Sequence, residues 1–145
     1  MGAAVRARFE TSRHHVLSTL RTDGSPRVSG TEVQFHGPDL TIGSMPGSMK
    51  ARDLRRDPRY ALHANPGDGS MDGGDAKLAG RAVEVLDPDE LAAYADAVEQ
   101  LPPGPFHLFR LEVAEAVLTS VDPSGEFLVI QLWQRGAAVK RFERR

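Results

Sequence analysis

Short segments of alternating apolar and polar residues, separated by turn signals, follow one another along most of this 145-residue chain. The pair Asp23-Gly24 predicts a hairpin between the first two of these segments. The predicted strands are residues 15–22, 26–35, 40–44, 59–64, 77–86, 127–134 and 137–142. Residues 106–122 alternate over too long a run for one simple strand, which predicts two strands or one strand with a β-bulge. With seven or eight antiparallel strands in so short a chain, we expect a mainly β fold, a closed or split barrel, because closure removes exposed edges.

Three segments predict helices at the periphery of this single domain, residues 1–145. Residues 3–11 contain neither Gly nor Pro. Ser48 can cap a helix that runs to Arg56 and stops before Asp57-Pro58. Asp87 and Pro88 begin the clearest helix, over residues 88–101, which Pro102, Pro103 and Pro105 end. The glycine-rich residues 65–75 predict a loop.

The composition excludes several kinds of chemistry. The chain has no cysteine, so disulfides, thiolate metal sites and cysteine nucleophiles are absent. The adjacent His14 and His15 would point to opposite faces of a strand, and no His, Asp or Glu cluster has ligand spacing, so we expect no metal site. No nucleophile elbow, Walker loop or dinucleotide fingerprint is present. The first twenty residues are charged and lack an apolar run, so we expect a cytoplasmic protein without a membrane anchor.

Charge is distributed unevenly along the chain, although the net charge is only −2, which argues against a general nucleic-acid binder. Residues 50–59 hold five basic and two acidic side chains, and residues 135–145 hold five basic and one acidic. Residues 82–109 hold six carboxylates and no lysine or arginine. A small anionic ligand is therefore expected near the basic helix or the C-terminus.

The segments LSTLRTDGSPRVSGTEVQF and LTIGSMPGSMKARDLRRDPRYAL resemble the pyridoxamine 5′-phosphate oxidase-like superfamily of FMN-binding split barrels. The resemblance covers residues 14–64 with a motif, and the later KLAGRAVEVLD strand and its helix fit the family order. The pieces DGSPRVS and MKARDLRRDPR resemble the flavin/deazaflavin oxidoreductase branch, many of whose members bind the deazaflavin coenzyme F420. The resemblance implies a homodimer that transfers hydride between this cofactor and a small organic substrate.

The resemblance also implies roles for residues of the basic helix. The family's Ser-Arg-Lys triplet, which grips the cofactor phosphate, corresponds to Ser48, Met49 and Lys50. A helix N-terminus with these side chains and the preceding Pro46-Gly47 turn suits an anion. Met49 replaces the arginine and so removes one bidentate contact to a phosphate dianion. The sequence therefore favours F420, whose phosphate is a singly charged diester, and FMN remains the alternative. Arg52, Arg55 and Arg56 either hold the acidic tail of F420 or form a solvated helix face.

In the family, the second strand of the first hairpin lies along the cofactor ring, which corresponds here to Arg27–Val33. Arg27, Ser29 and Thr31 would share one face, and Val28, Gly30 and Glu32 the other, so only one set is expected to face the ring. Gly30 marks either a ligand contact or a bulge. Trp133, the only tryptophan, either lies near the cofactor of the partner subunit or anchors the core or the dimer. The candidate cofactor-binding residues are Arg27, Val28, Ser29, Gly30, Thr31, Ser44, Met45, Gly47, Ser48, Met49, Lys50 and Trp133.

Two functions are consistent with these residues. The first is an F420- or FMN-dependent oxidoreductase in which the protein orients the cofactor and its substrate. The second is a non-catalytic carrier or sensor that uses the same pocket for a flavin or F420. Haem belongs to this second function only by analogy with some split-barrel relatives.

Overall fold

A computed structural model describes residues 2–67, 71–98 and 104–145. The described residues form three helices and eight strands in the predicted order. In chain order these are α1 (Ala3–Glu10), β1 (His14–Leu20), β2 (Pro26–His36), β3 (Asp39–Ser44), α2 (Met49–Arg56), β4 (Arg59–His63), β5 (Asp75–Glu84), α3 (Pro88–Ala97), β6 (His107–Val121), β7 (Leu128–Gln134) and β8 (Lys140–Arg144).

The strands form one antiparallel sheet in the order β3-β2-β1-β4-β5-β6-β7-β8, and β3 also pairs with β6. That additional pairing closes the first six strands into a barrel, and β7 and β8 extend from β6 beyond it. Closure gives each of the six barrel strands a partner on both sides over at least part of its length. The prediction of a mainly β closed or split barrel is therefore confirmed.

Strand β6 is one strand of 15 residues with a bulge, which decides between the two predictions for residues 106–122. Ala79 pairs with Glu115 and Gly80 pairs with Val113, so Ala114 is the extra residue. A Cβ on Gly80 would lie 1.9 Å from the Glu112 carbonyl oxygen, so glycine is required opposite this bulge. Gly30, by contrast, lies opposite Val16 in an uninterrupted ladder, so of the two alternatives for Gly30 the bulge is wrong.

Several element boundaries differ from the prediction, and β5 spans Asp75–Glu84 rather than residues 77–86. β1 ends at Leu20 because the turn already begins at Arg21, whose amide donates to the Ser25 carbonyl at 2.8 Å. β8 begins at Lys140 because Ala137 still belongs to the turn, where its amide donates to the Gln134 carbonyl at 3.1 Å. α3 ends at Ala97, and the predicted continuation over residues 99–101 lies outside the described residues.

The core lies inside the barrel and is covered by helices. Leu17, Ile42, Leu62 and Phe109 are at most 1% exposed. α1 packs against β5 and β6 and buries Val5 and Phe9, and α2 packs against β1 and buries Ala51 and Leu54. No helix of the described chain is long and apolar enough to cross a membrane.

Candidate functional site

The barrel is split along one edge of β2. β2 pairs with β3 only from Val33 to His36, whereas the last residues of β3, Gly43 and Ser44, pair with β6. In the described part of the chain, no strand therefore pairs with the second edge of β2 between Pro26 and Glu32. Backbone N–H and C=O groups on such an edge are available to a ligand.

A cavity of about 470 Å³ lies along this split. Its walls come from β1, β2 and β3, the β3–α2 turn, α2, α3 and the segment before β6. The predicted residues that line it are Gly30, Thr31, Ser44, Met45 and Lys50. Gly30 and Thr31 belong to opposite faces of β2, and both line the cavity because the cavity runs along the edge of the strand. The expectation that residues of only one face would meet the ligand is therefore not met by the cavity.

The β3–α2 turn presents the N-terminus of α2 to this cavity. Gly47 has a φ of 72°, a left-handed conformation that favours glycine. The Ser48 amide donates to the Met45 carbonyl at 3.2 Å, and the Ser48 hydroxyl caps the helix by accepting from the Ala51 amide at 3.3 Å. The hydroxyls of Ser44 and Ser48 also share a short hydrogen bond. The predicted N-cap is confirmed, and the first amides of α2 have no acceptor within the helix.

Lys50 is half-buried in the cavity wall. Its Nζ donates to the Gly30 carbonyl at 3.3 Å, the only hydrogen bond it makes to the described residues. Burial lowers the pKa of the ammonium, an effect that the nearby Glu32 carboxylate opposes. A partly desolvated ammonium with one neutral acceptor would gain from an anionic partner.

The rim of the cavity beyond Gly30 carries the opposite charge. The Glu32 carboxylate lies 3.7 Å from His14 Nε2 and 3.7 Å from an Arg13 guanidinium nitrogen. His14 and Glu32 both line the cavity. The cavity thus has a cation near α2 and a carboxylate beside an imidazole at its rim.

Arg27 and Met49 lie in a different depression, of about 430 Å³, which Arg52 and Arg56 also line. Asp53 is 1% exposed and accepts hydrogen bonds from Thr19 Oγ1 at 2.7 Å, Arg27 Nε at 2.7 Å and Arg56 Nη2 at 2.9 Å. Burial raises the pKa of Asp53, but these three hydrogen bonds together outweigh it and hold the pKa below its usual value. Arg27 and Arg56 are therefore committed to a buried carboxylate.

The three arginines predicted to form a basic helix face have different surroundings. Arg55 binds both carboxylate oxygens of Glu84, at 2.6 and 2.7 Å. Arg56 also donates to the Leu20 carbonyl at 2.7 Å. The Arg52 guanidinium forms no hydrogen bond or ion pair with the described residues, and its Nη2 lies 3.7 Å from where a Cβ on Gly47 would be. Only Arg52 is both unpaired and next to the turn.

The remaining predicted residues lie away from the cavity. Val28 is 70% exposed on the outer face of β2, and Ser29 is half-buried on the inner face. Trp133 packs against the core and lines a separate cavity of about 370 Å³ with Val5 and Val139. This position agrees with the core-anchor alternative for Trp133.

The sequence did not single out several residues of the site. Tyr94 and Phe106 line the cavity from α3 and from the segment before β6. His107 and Glu84 contact the turn and α2 from β6 and β5. Tyr94 could have been found from the sequence, because it is a tyrosine on the buried face of an amphipathic helix. The contacts of His107 and Glu84 join distant parts of the sequence and leave no local signal. Among the described residues, no three His, Asp or Glu side chains are grouped so as to hold a metal ion.

Solved structures share this fold at low sequence identity. A pyridoxamine 5′-phosphate oxidase-related, FMN-binding protein of Nostoc punctiforme has a TM-score of 0.70 at 15% identity, over 99% of this chain and 94% of that chain. PhzG of Burkholderia lata, in complex with tetrahydrophenazine-1-carboxylic acid, has a TM-score of 0.66 at 16% identity, over 98% and 86%. A haem-binding protein of Mycobacterium smegmatis has a TM-score of 0.61 at 21% identity, over 98% and 58%.

No curated protein shows a significant match to the chain. The family model described as pyridoxamine 5′-phosphate oxidase matches residues 1–125, which include every barrel strand and the cavity. The match extends over far more than half of the 145 residues. The chain therefore belongs to the pyridoxamine 5′-phosphate oxidase family.

Proposed function

We propose that this protein binds a flavin-class cofactor, FMN or F420, in the cavity along β2 and uses it for hydride transfer with a small organic substrate. The observation that supports this proposal most directly is that the open edge of β2 and the half-buried Lys50 ammonium line the same cavity. An isoalloxazine or deazaflavin has a hydrogen-bonding edge and a phosphate-bearing chain, which matches these two features.

Each part of such a cofactor has suitable groups in the cavity wall. The unpaired backbone groups of β2 near Gly30 suit the polar edge of the ring. Lys50 in the wall, together with the Ser48 hydroxyl and the first amides of α2 beside it, suits the phosphate. A bound flavin or deazaflavin supplies the hydride, and the protein supplies orientation and electrostatics.

Two side chains at the rim of the cavity are suited to transfer the proton that accompanies hydride transfer. His14 and Glu32 lie at the rim, and their side chains are 72% and 50% exposed. Both residue types exchange protons readily, and both can reach a substrate that enters from solvent. They are our candidates for orienting or protonating a substrate.

The choice between FMN and F420 depends on how the arginine missing at position 49 is replaced. Arg27, Arg55 and Arg56 are committed to carboxylates, so Arg52 is the arginine of this region that is available to a phosphate or to an acidic tail. Met49 favours the singly charged phosphate of F420, whereas the description of the Nostoc protein as FMN-binding supports FMN. Binding of a flavin-class cofactor is therefore the general proposal, and a preference for F420 over FMN is the more specific one.

A titration of the cofactor-free protein tests this function. Fluorescence quenching with FMN, F420 and riboflavin at low and high salt gives the affinities, and the absorbance spectrum with haem tests the alternative that the Mycobacterium smegmatis relative suggests. We expect micromolar or tighter binding of FMN or F420, and weaker binding of riboflavin, which lacks the phosphate. Tighter FMN than F420 binding at both salt concentrations would overturn the F420 preference only.

Turnover separates an oxidoreductase from a carrier. The bound cofactor is reduced, and its reoxidation by quinones, nitroaromatics and oxygen is followed by absorbance. Reoxidation that is faster than that of the free reduced cofactor supports the enzyme. Binding with no acceleration for any acceptor supports the non-catalytic module, and binding of none of these ligands overturns the proposed function.

A further inference from the structure

His107 contacts the turn that precedes α2 and does not itself line the cavity. It is the first residue of β6, where its backbone pairs with Ser44. Its Nε2 accepts a hydrogen bond from the Gly47 amide at 3.1 Å. Gly47 is the left-handed residue of the turn, so this bond holds the residue on which the turn geometry depends.

The other ring nitrogen of His107 faces two charged groups. Nδ1 lies 3.8 Å from Glu84 Oε2 and 3.0 Å from Arg55 Nη2. A guanidinium only donates, and a neutral imidazole has one acceptor nitrogen, so His107 cannot accept from both Arg55 and Gly47. Arg55 already donates to both Glu84 oxygens, whereas the Gly47 amide has no other acceptor in the described structure.

The tautomer with its proton on Nδ1 is the one that fits the Gly47 and Glu84 contacts, and in it His107 accepts no hydrogen bond from Arg55, whose Nη2 lies 3.0 Å from Nδ1. Nε2 is then the acceptor for Gly47, and the Nδ1 proton faces the Glu84 carboxylate, whose pKa the Arg55 hydrogen bonds hold below its usual range. The side chains of His107 and Glu84 are only 18% and 17% exposed, which limits their movement. The cluster thus connects three elements, namely the C-terminal turn of α2, the end of β5 and the start of β6. Through His107 it also reaches the β3–α2 turn at the N-terminus of α2.

We propose that His107 is a positioning residue for the anion site, acting through the Gly47 amide to hold the β3–α2 turn, while the Glu84 carboxylate, itself bound by Arg55, orients the imidazole. This inference rests on the proposed function, because the anion is the phosphate of the cofactor. His107 itself contacts the Gly47 amide and does not line the cavity. Its effect should therefore be confined to ligands that carry the phosphate.

Two substitutions separate the Gly47 contact from the Glu84 contact. The side-chain amide of His107→Gln reaches the place of Nε2 and keeps an acceptor for Gly47. The amide of His107→Asn reaches only the place of Nδ1, towards Glu84, and leaves Gly47 without an acceptor. Both variants remove the imidazole, so a difference between them reports the Gly47 contact, and thermal unfolding checks that both are folded.

The probes are FMN and riboflavin, which differ only in the phosphate. We expect His107→Asn to weaken FMN binding by about tenfold, the effect of one lost hydrogen bond, and to leave riboflavin binding within about twofold. His107→Gln should stay within about threefold of the wild type for both. Equal affinities of the two variants for FMN, or equal losses for FMN and riboflavin, would overturn the inference. Wild-type protein that binds neither probe would overturn the proposed function and this inference with it.

Discussion

Lys50 is the residue on which the anion site depends most. Its ammonium is half-buried and, among the described residues, has only the Gly30 carbonyl as a hydrogen-bond acceptor, so a cofactor phosphate would be its first charged acceptor. We predict that Lys50→Ala weakens FMN or F420 binding by about 1.5 to 3 kcal/mol, one to two decades in dissociation constant, because a charge-assisted hydrogen bond is lost. Fluorescence titration measures this change.

Lys140→Ala is the matched control, because it removes the same charge from the exposed strand β8. Its affinity should equal that of the wild type. A Lys50→Ala protein that binds both cofactors as tightly as the wild type would show that the phosphate site lies elsewhere.

Residue roles could be predicted from sequence where they depend on neighbours in the chain. The cap at Ser48 and the position of Lys50 beside it follow from helix geometry, and both agree with the structure. The partners of Arg27 and Arg55 could not be predicted, because Asp53 and Glu84 lie 26 and 29 residues away. Which arginine remains available is therefore a property of the folded chain.

At the scale of elements, the bulge in β6 depends on one glycine of β5. A Cβ at position 80 would lie 1.9 Å from the Glu112 carbonyl oxygen and 3.0 Å from the Ala114 amide nitrogen, and backbone atoms cannot move aside cheaply. We predict that Gly80→Ala lowers the free energy of unfolding by about 1–3 kcal/mol, as overpacking does. Gly30→Ala, where a Cβ meets nothing within 4 Å, should change it by about 0.5 kcal/mol or less. Urea unfolding of both variants measures this, and equal stabilities would contradict the assignment.

Helix α1 is held against the barrel by a buried histidine. His15 is 2% exposed, and its Nε2 bonds the Phe9 and Ser12 carbonyls at 3.0 and 2.8 Å. Its Nδ1 accepts from the Asn65 amide at 2.9 Å. Nδ1 must therefore be unprotonated, and a proton there would break the link between α1 and the residues after β4.

We predict that acid destabilises the protein through His15. Burial lowers the pKa of His15 below 6.5, and His14 and Arg8 add to this, although the two backbone carbonyls oppose it. Below about pH 6.5 the unfolded chain therefore binds more protons at this position than the folded chain, so stability falls as the pH drops towards the folded-state pKa. His15→Gln should be less stable than the wild type at pH 7.5, and the difference should shrink towards pH 5. A constant difference in urea unfolding across this range would contradict the role of His15.

The elements themselves were predictable because period and turn signals are local. The ranges of β2, β3 and β4 differ from the prediction by at most one residue at either end. β8 was misplaced by three residues at its start because every residue of this strand is exposed, so no buried face fixes its register. The split of the barrel beside β2 arises from the pairing of β3 with β6, which joins residues more than 60 apart and has no local signal.

The outer face of the barrel carries a row of small side chains. Ser18 lies between Val28 and Ala61 in the ladder, and Ala61 is followed by Ala79, so small side chains occupy three neighbouring strands, β1, β4 and β5. Val28 is 70% exposed beside this row, and Met45 on the cavity wall is 76% exposed. Exposed apolar residues next to such a row are typical of protein interfaces.

We predict a homodimer formed through this face, with each cofactor held between two copies. A single barrel with an open cavity of about 470 Å³ leaves much of a flavin in solvent, and a second copy would cover it. Light scattering should give about twice the chain mass of 15.8 kDa. Ala61→Glu places a charge in the middle of the small-residue row, where a monomer would solvate it but an interface would not, so this variant should have the mass of one chain and bind FMN more weakly. Val121→Glu, which adds the same charge at the end of β6, should remain dimeric. A wild-type monomer that binds the cofactor tightly would contradict this prediction.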